Sequence, residues 1–226
     1  MKRTLLYSLI LSIFVTGCQK DIDGELPGDD DNNPRAADTY LPLTKGTTWK
    51  YKETGFADAE YTMTVTDRKQ TVNNINFTVV TSDFQGTVVE GLMAQKGANY
   101  YIKQSGNSPN TGASFDFTML FLNDKEAAGY TWDFNGGQGG GFTAKIPGKI
   151  IERDLSMTVA GKNYTNVIHT QLTLAYEMPV VGTTDFMIYD YYVAKGVGII
   201  KIDSETPPGI PVSVTSVVEL QDYSIK

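Results

Sequence analysis

The sequence predicts an all-β protein, an antiparallel meander of about 11–12 strands that forms a strongly curled sheet, an open barrel or a sandwich. Three observations carry this. Apolar and polar residues alternate with period two over most of the chain, with β-branched and aromatic residues on the apolar beats. Turn-forming clusters rich in Asn and Gly separate the alternating runs. Beyond the first eighteen residues, no segment carries an apolar stripe at helical spacing over three turns.

The chain begins with a short basic stretch, Lys2 and Arg3. An apolar run from Leu5 to Val15 follows, broken by Ser8 and Ser12, and then Val15-Thr16-Gly17-Cys18. The run is too short to span a bilayer, which takes about 20 residues. This arrangement resembles the signal peptide and lipobox of bacterial lipoproteins. The resemblance implies that residues 1–17 are cleaved and that a diacylglycerol is attached to the Cys18 thiol. It also implies a further acyl chain, such as palmitate, on the new amine. Two or more chains hold a protein stably where one holds it marginally. Cys18 is the sole cysteine, so its lipidation leaves a fold without thiols or disulfides.

Gln19-Lys20-Asp21-Ile22-Asp23 resembles the export signal of surface lipoproteins of the Bacteroides type. That resemblance implies lipid anchorage in the outer membrane with exposure at the cell surface. A generic polar tether is the alternative reading. Removing residues 1–17 removes two bases and no acid, so the net charge moves from −7 to −9. Residues 18–39 hold seven acids against Lys20 and Arg35. With Gly24, Pro27, Gly28 and Pro34 they read as a disordered acidic spacer. Asp29-Asp30-Asp31-Asn32-Asn33 lacks the spaced oxygens, turn glycine and distal glutamate of a calcium loop. The acidity argues against a nucleic-acid partner.

Residues 40–226 have the length of one β domain. Tyr61, Met63 and Val65 alternate with threonines. Phe115, Phe117, Met119 and Phe121 form the next aromatic run, and Leu120 and Leu122 make both of its faces apolar. Tyr130, Trp132 and Phe134 alternate with polar residues, as do Leu155, Met157 and Val159, and Val212, Val214 and Val218. Turns are expected at Asn73-Asn74, at 96–99, at 105–112 and at 160–163, the last closing a hairpin. Residues 123–128 could form a single turn of helix.

Leu41-Pro42-Leu43-x-x-Gly46-x-x-Trp49-x-Tyr51 opens the domain, Gly129-Tyr130-Thr131-Trp132 lies mid-chain, and Lys195-Gly196-Val197-Gly198 comes late. The glycines of the last segment suggest a bulge or a close approach of backbone between two strands. Together with Val159-Ala160-Gly161-Lys162-x-Tyr164-x-Asn166-Val167, these segments resemble a broad group of uncharacterised secreted or lipid-anchored bacterial β-proteins. The resemblance implies an all-β lipoprotein and brings no activity with it.

Few residues suggest chemistry. Residues 135–141, Asn-Gly-Gly-Gln-Gly-Gly-Gly, lack the Gly-Lys-Ser/Thr of a phosphate loop and read as a hairpin tip. His169 is the sole histidine, which excludes the usual multi-histidine zinc sites. Its alternation places it with Gln171 and Thr173, away from Ile168, Leu172 and Leu174, facing solvent or a polar groove. No Gly-x-Ser-x-Gly segment exposes a nucleophile. Glu152 with Asp154, or Asp185 with Asp190, could serve glycoside hydrolysis if a cleft held them at a set separation. Phe186, Ile188 and Tyr192 are expected inward, which turns Tyr189 and Tyr191 outward as an aromatic strip able to stack on sugars or anchor a protein. The alternative is a fold that buries both faces.

The expected function is that of a non-catalytic outer-membrane lipoprotein binding a ligand or partner, with Tyr189, Tyr191 and His169 as candidate contacts. No cofactor or metal is expected. A periplasm-facing carrier or chaperone for a lipid-like molecule inside an open barrel is the alternative, and a carboxylate-based glycoside hydrolase is the third reading.

Overall fold

The computed structural model describes residues 36–226 except 56–57, 108–113, 181 and 211–212. The expected signal peptide, Cys18 and the expected tether as far as Arg35 lie outside the described residues. In chain order the strands are β1 Thr48–Thr54, β2 Glu60–Val72, β3 Ile75–Phe84, β4 Thr87–Lys96, β5 Asn99–Asn107, β6 Ser114–Asn123 and β7 Thr131–Trp132. They continue with β8 Asn135–Gly139, β9 Phe142–Lys145, β10 Gly148–Val159, β11 Lys162–Met178, β12 Gly182–Ala194, β13 Gly198–Glu205 and β14 Thr215–Ser224.

All pairings between these strands are antiparallel, and the sheet closes on itself. The ring runs β1-β2-β3-β4-β5-β6-β8-β9-β11-β12-β13-β14 and back to β1, a twelve-strand barrel. β11 makes the closure. One of its edges pairs with β12. The other is shared, Ala175–Glu177 with β9 and Lys162–Leu172 with β10. β10 therefore branches off the ring and carries the two-residue β7 on its far edge. Closure removes the unpaired edges that an open sheet would expose.

Alternation along the ladders assigns each side chain to the inside or outside. Trp49, Tyr51 and Glu53 of β1 point inward, as do Tyr61, Met63 and Val65 of β2, their ladder neighbours Val80, Ser82 and Phe84 of β3, and Phe115, Phe117 and Met119 of β6. The inside has two halves. In one, Trp49, Val65, Val80, Met93, Tyr100, Phe121, Ile168, Leu172, Val193, Ile200 and Leu220 pack as a closed core. Tyr40 and Leu41 plug that end, where the Tyr40 amide donates to the Tyr100 hydroxyl at 3.4 Å. In the other half Tyr61, Met63, Phe84, Tyr189, Ile202 and Ser204 stay partly accessible.

The opening and closing segments lock together. The Trp49 indole N–H donates to the Val197 carbonyl at 2.6 Å, and the Tyr51 hydroxyl donates to the Ile199 carbonyl at 2.8 Å. Gly198 lies at φ +112°, and a Cβ there would stand 3.2 Å from the Trp49 ring nitrogen. The close approach expected of Lys195–Gly198 is thus made onto Trp49. Mid-chain, the Trp132 indole donates to the Leu120 carbonyl at 3.1 Å, and Gly148 faces its ring so closely that a Cβ would be 2.3 Å away.

Several local expectations are corrected. Residues 123–128 form bends and a turn, not a helical turn. The Asn123 carboxamide oxygen accepts from the amides of Lys125 and Glu126 at 3.0 and 3.3 Å, an Asx turn that competes with helix. β5 runs on to Asn107, into the expected 105–112 turn. Residues 135–139 are strand, and only Gly140 and Gly141 make the tip. β14 starts at Thr215, so Val214 lies before the strand, and Val212 falls outside the described residues. Asp154 has φ +55° and lies within the register shift between Glu152 and Leu155, so Glu152 and Asp154 do not simply alternate along one face.

Candidate functional site

The less filled half of the barrel is an aromatic cup. Its wall begins with three stacked rings on neighbouring strands. Tyr51 and Tyr61 have centroids 5.5 Å apart, and Tyr61 and Phe84 are 4.7 Å apart and nearly parallel. Across the ring, Tyr189 and Tyr191 of β12 point inward, 6.3 Å apart, and Tyr191 lies 5.6 Å from Phe121. This reverses the outward placement of Tyr189 and Tyr191. The register pairs Tyr191 with the buried Thr170 and Tyr189 with the buried Leu172, so the two tyrosines share the inward face of β11. Tyr192 and Ile188 take the outer face instead. The sequence did not reveal this because residues 186–192 are apolar or aromatic on both faces, apart from Asp190.

The hydroxyls inside the cup are unusual. Tyr191 is only 4% exposed, yet among the described residues its hydroxyl, like those of Tyr61 and Tyr189, bonds to no protein atom. Burial pushes all three phenols well above their ordinary pKa. Glu53 adds to the effect at Tyr61, Tyr176 at Tyr189, and Tyr189 and Tyr61 at Tyr191. They remain protonated donors at neutral pH. Tyr61 and Tyr189 are strongly desolvated and still keep accessible surface. Both properties fit rings on the wall of a hollow. Among the described residues the buried side-chain atoms without a partner are Asp124 Oδ1, the Tyr164 hydroxyl and Asp203 Oδ1, so the Tyr61, Tyr189 and Tyr191 hydroxyls keep access to water or to a ligand atom.

The rim is polar. Inward-facing Glu53 accepts from the Ser216 hydroxyl at 2.8 Å, and Ser204 lies opposite both Ser216 and Tyr189 in the ladders. Phe186 and Tyr176, edge to face at 5.8 Å, close one side.

His169 lies elsewhere, on the outer face of β11. Its Nε2 donates to the Asp190 carboxylate at 2.6 Å, and its ring stacks on Tyr192 at 4.4 Å. The Gln171 amide also donates to Asp190, at 3.2 Å. Lys201 extends the row, 5.5 Å from the Tyr192 ring and paired with Asp203 at 2.8 Å. Asp190 and Asp203 are cross-strand neighbours, and His169, Gln171 and Lys201 supply the donors that hold these like charges side by side. No serine or threonine hydroxyl bonds to His169 among the described residues. Of the carboxylate pairs, Asp190 is engaged by His169 and Gln171, whereas Asp185 is exposed. Among the described residues no group of three His, Cys, Asp or Glu side chains is arranged to hold a metal ion.

A separate groove of about 570 Å³ lies at the plugged end, between Leu41–Thr44 and Lys69, Thr78 and Gln95. Lys69 donates to Thr78 there at 2.8 Å. Among the described residues no unsatisfied buried polar atom lies in its lining.

No protein-family model matches the chain, and no curated protein matches it. Two solved structures superpose on much of the chain. An inferred lipoprotein from Parabacteroides distasonis superposes with a TM-score of 0.52 at 11% identity, covering 82% of this chain and 98% of its own. An inferred exported protein with a YmcC-like fold from Bacteroides fragilis gives 0.47 at 8% identity, covering 81% and 98%. At these identities the first likeness speaks for the all-β barrel architecture alone.

Proposed function

We propose that this chain is a lipid-anchored, non-catalytic binding protein that takes a small amphipathic molecule into the aromatic cup of its barrel. The carrying observation is the set of unpartnered hydroxyls of Tyr61, Tyr189 and Tyr191 on an otherwise apolar inner wall. Apolar rings supply the affinity, and a few placed polar groups fix orientation, as in small-molecule sites generally. Lipidation at Cys18 and the acidic spacer favour anchorage in the outer membrane with the domain held off its surface. The lipoprotein and exported descriptions of the two structural neighbours agree with export. A contact face built on outward tyrosines has lost its tyrosines, so the binding role moves from the outside of the sheet to the inside.

Fluorescence of N-phenyl-1-naphthylamine added to the purified protein tests the cup. Enhancement with saturation near one probe per chain is expected. Ser204→Trp, which fills the cup, abolishes it, and Gln171→Ala on the outer face leaves it intact. Enhancement that survives Ser204→Trp would place binding elsewhere and sink the proposal.

A further inference from the structure

The cup contains a carboxylate and lacks a matching cation. Glu53 is the last inward residue of β1, beside Val218 in the ladder and close enough to Tyr61 to influence its phenol. Its side-chain partner is the neutral Ser216 hydroxyl. Among the described residues, no lysine, arginine or histidine pairs with it. Three carboxylates of β2 and β14 are matched. Glu60 pairs with Lys50 at 2.9 Å, Asp67 with Lys45 at 2.5 Å and Asp222 with Lys162 at 2.7 Å. Lys50, Lys52 and Lys201 all alternate onto the outer face. Lys69 follows the inward side of β2, but at the plugged end, where it bonds Thr78.

An uncompensated carboxylate at the edge of an apolar hollow disfavours anionic ligands and leaves a neutral one without charge pairing. Next to Glu53 stands the Tyr51–Tyr61–Phe84 stack, whose rings pack against one another and give that wall apolar surface for the carbon groups around an ammonium nitrogen. We propose that the cup selects ligands bearing an ammonium group, with Glu53 as the counter-charge and the Tyr51–Tyr61–Phe84 stack as the apolar wall beside it. This deepens the cup-binding reading and rests on it. The apolar part of such a ligand lies along Tyr189, Tyr191 and Phe121. Net negative charge on the chain adds long-range attraction for a cation.

Three probes of one chain length separate the possibilities in titration calorimetry with the purified protein: octyltrimethylammonium, 1-octanol and octanoate. The ammonium is expected to bind at least about tenfold more tightly than the alcohol, with octanoate weakest. Glu53→Gln removes that preference and leaves 1-octanol binding unchanged. Unchanged near-UV circular dichroism verifies that the variant folds. Equal affinity for cation and alcohol overturns the ammonium assignment while leaving the cup reading standing. A preference that survives Glu53→Gln also overturns it. Absence of binding by all three probes overturns the cup reading itself.

Discussion

Two tyrosines on one barrel wall differ in what their hydroxyls do, and the difference is measurable. The Tyr51 hydroxyl is buried and bonded to the Ile199 carbonyl. Tyr51→Phe removes that bond and leaves the carbonyl short of a partner, at a cost of about 1–2 kcal/mol. The Tyr191 hydroxyl has no protein partner. Tyr191→Phe therefore leaves stability unchanged or raises it by a few tenths of a kcal/mol, while weakening binding in the cup. Urea denaturation of both variants checks the pair. A Tyr191→Phe chain as destabilised as Tyr51→Phe would mean that its hydroxyl is bonded within the protein after all. His169 and Asp190 already satisfy each other on the outer face, which is why Tyr191, whose hydroxyl has no protein partner, marks a site more firmly than that pair.

Among elements, the short pair β8–β9 completes the ring between β6 and β11, and β8 depends on residues without side chains. Gly137 has φ +116°, and a Cβ there would lie 2.3 Å from the Asp116 carbonyl oxygen, a backbone atom that cannot move aside cheaply. A Cβ on Gly136 would press on the Ile146 side chain at 2.5 Å. Gly137→Ala is expected to break the β6–β8 ladder and open the barrel at that point, costing several kcal/mol from strain and lost pairing. Hydrogen exchange checks it. Amides of β8, β9 and the Phe115–Phe117 stretch should lose protection first, with β2–β3 unaffected; uniform loss of protection across the sheet would contradict a local role. The sequence announces strands such as β2 and β6 because one or both faces are apolar, and period two is then plain. It does not announce β8, since glycines carry no pattern and so read as a loop. Nor does it distinguish barrel from sandwich, because closure depends on β11 sharing one edge between two partners, a pairing that local periodicity does not encode. The cup was hidden for a related reason. Tyr189, Tyr191 and Tyr192 are all aromatic, and only the register against β11 decides which of them face inward.

At the scale of the whole molecule, the barrel concentrates tyrosines in places where an ionised phenol is unwelcome, and this fixes how stability depends on pH. Burial raises Tyr100 and Tyr164 to about 12, with the Tyr223 and Asp222 charges adding to the rise at Tyr164. It also pushes Tyr51, Tyr61, Tyr189 and Tyr191 well above the ordinary phenol value. The unfolded chain releases these protons near pH 10. Between pH 10 and the folded values, the folded state therefore holds more protons than the unfolded state, and stability falls as pH rises. Below pH 10 these groups are neutral in both states and their contribution is fully present. Alkaline unfolding is thus expected to be cooperative: phenolate absorbance from the buried tyrosines should rise in one step, at the same pH at which near-UV circular dichroism collapses. A ligand in the cup that bonds the protonated hydroxyls of Tyr61, Tyr189 and Tyr191 binds the folded state alone, so saturating ligand moves that step to higher pH. Phenolate signal from all tyrosines rising smoothly near pH 10 with the dichroism intact would show that the barrel does not desolvate these phenols, and would remove the apolar wall on which the cup rests.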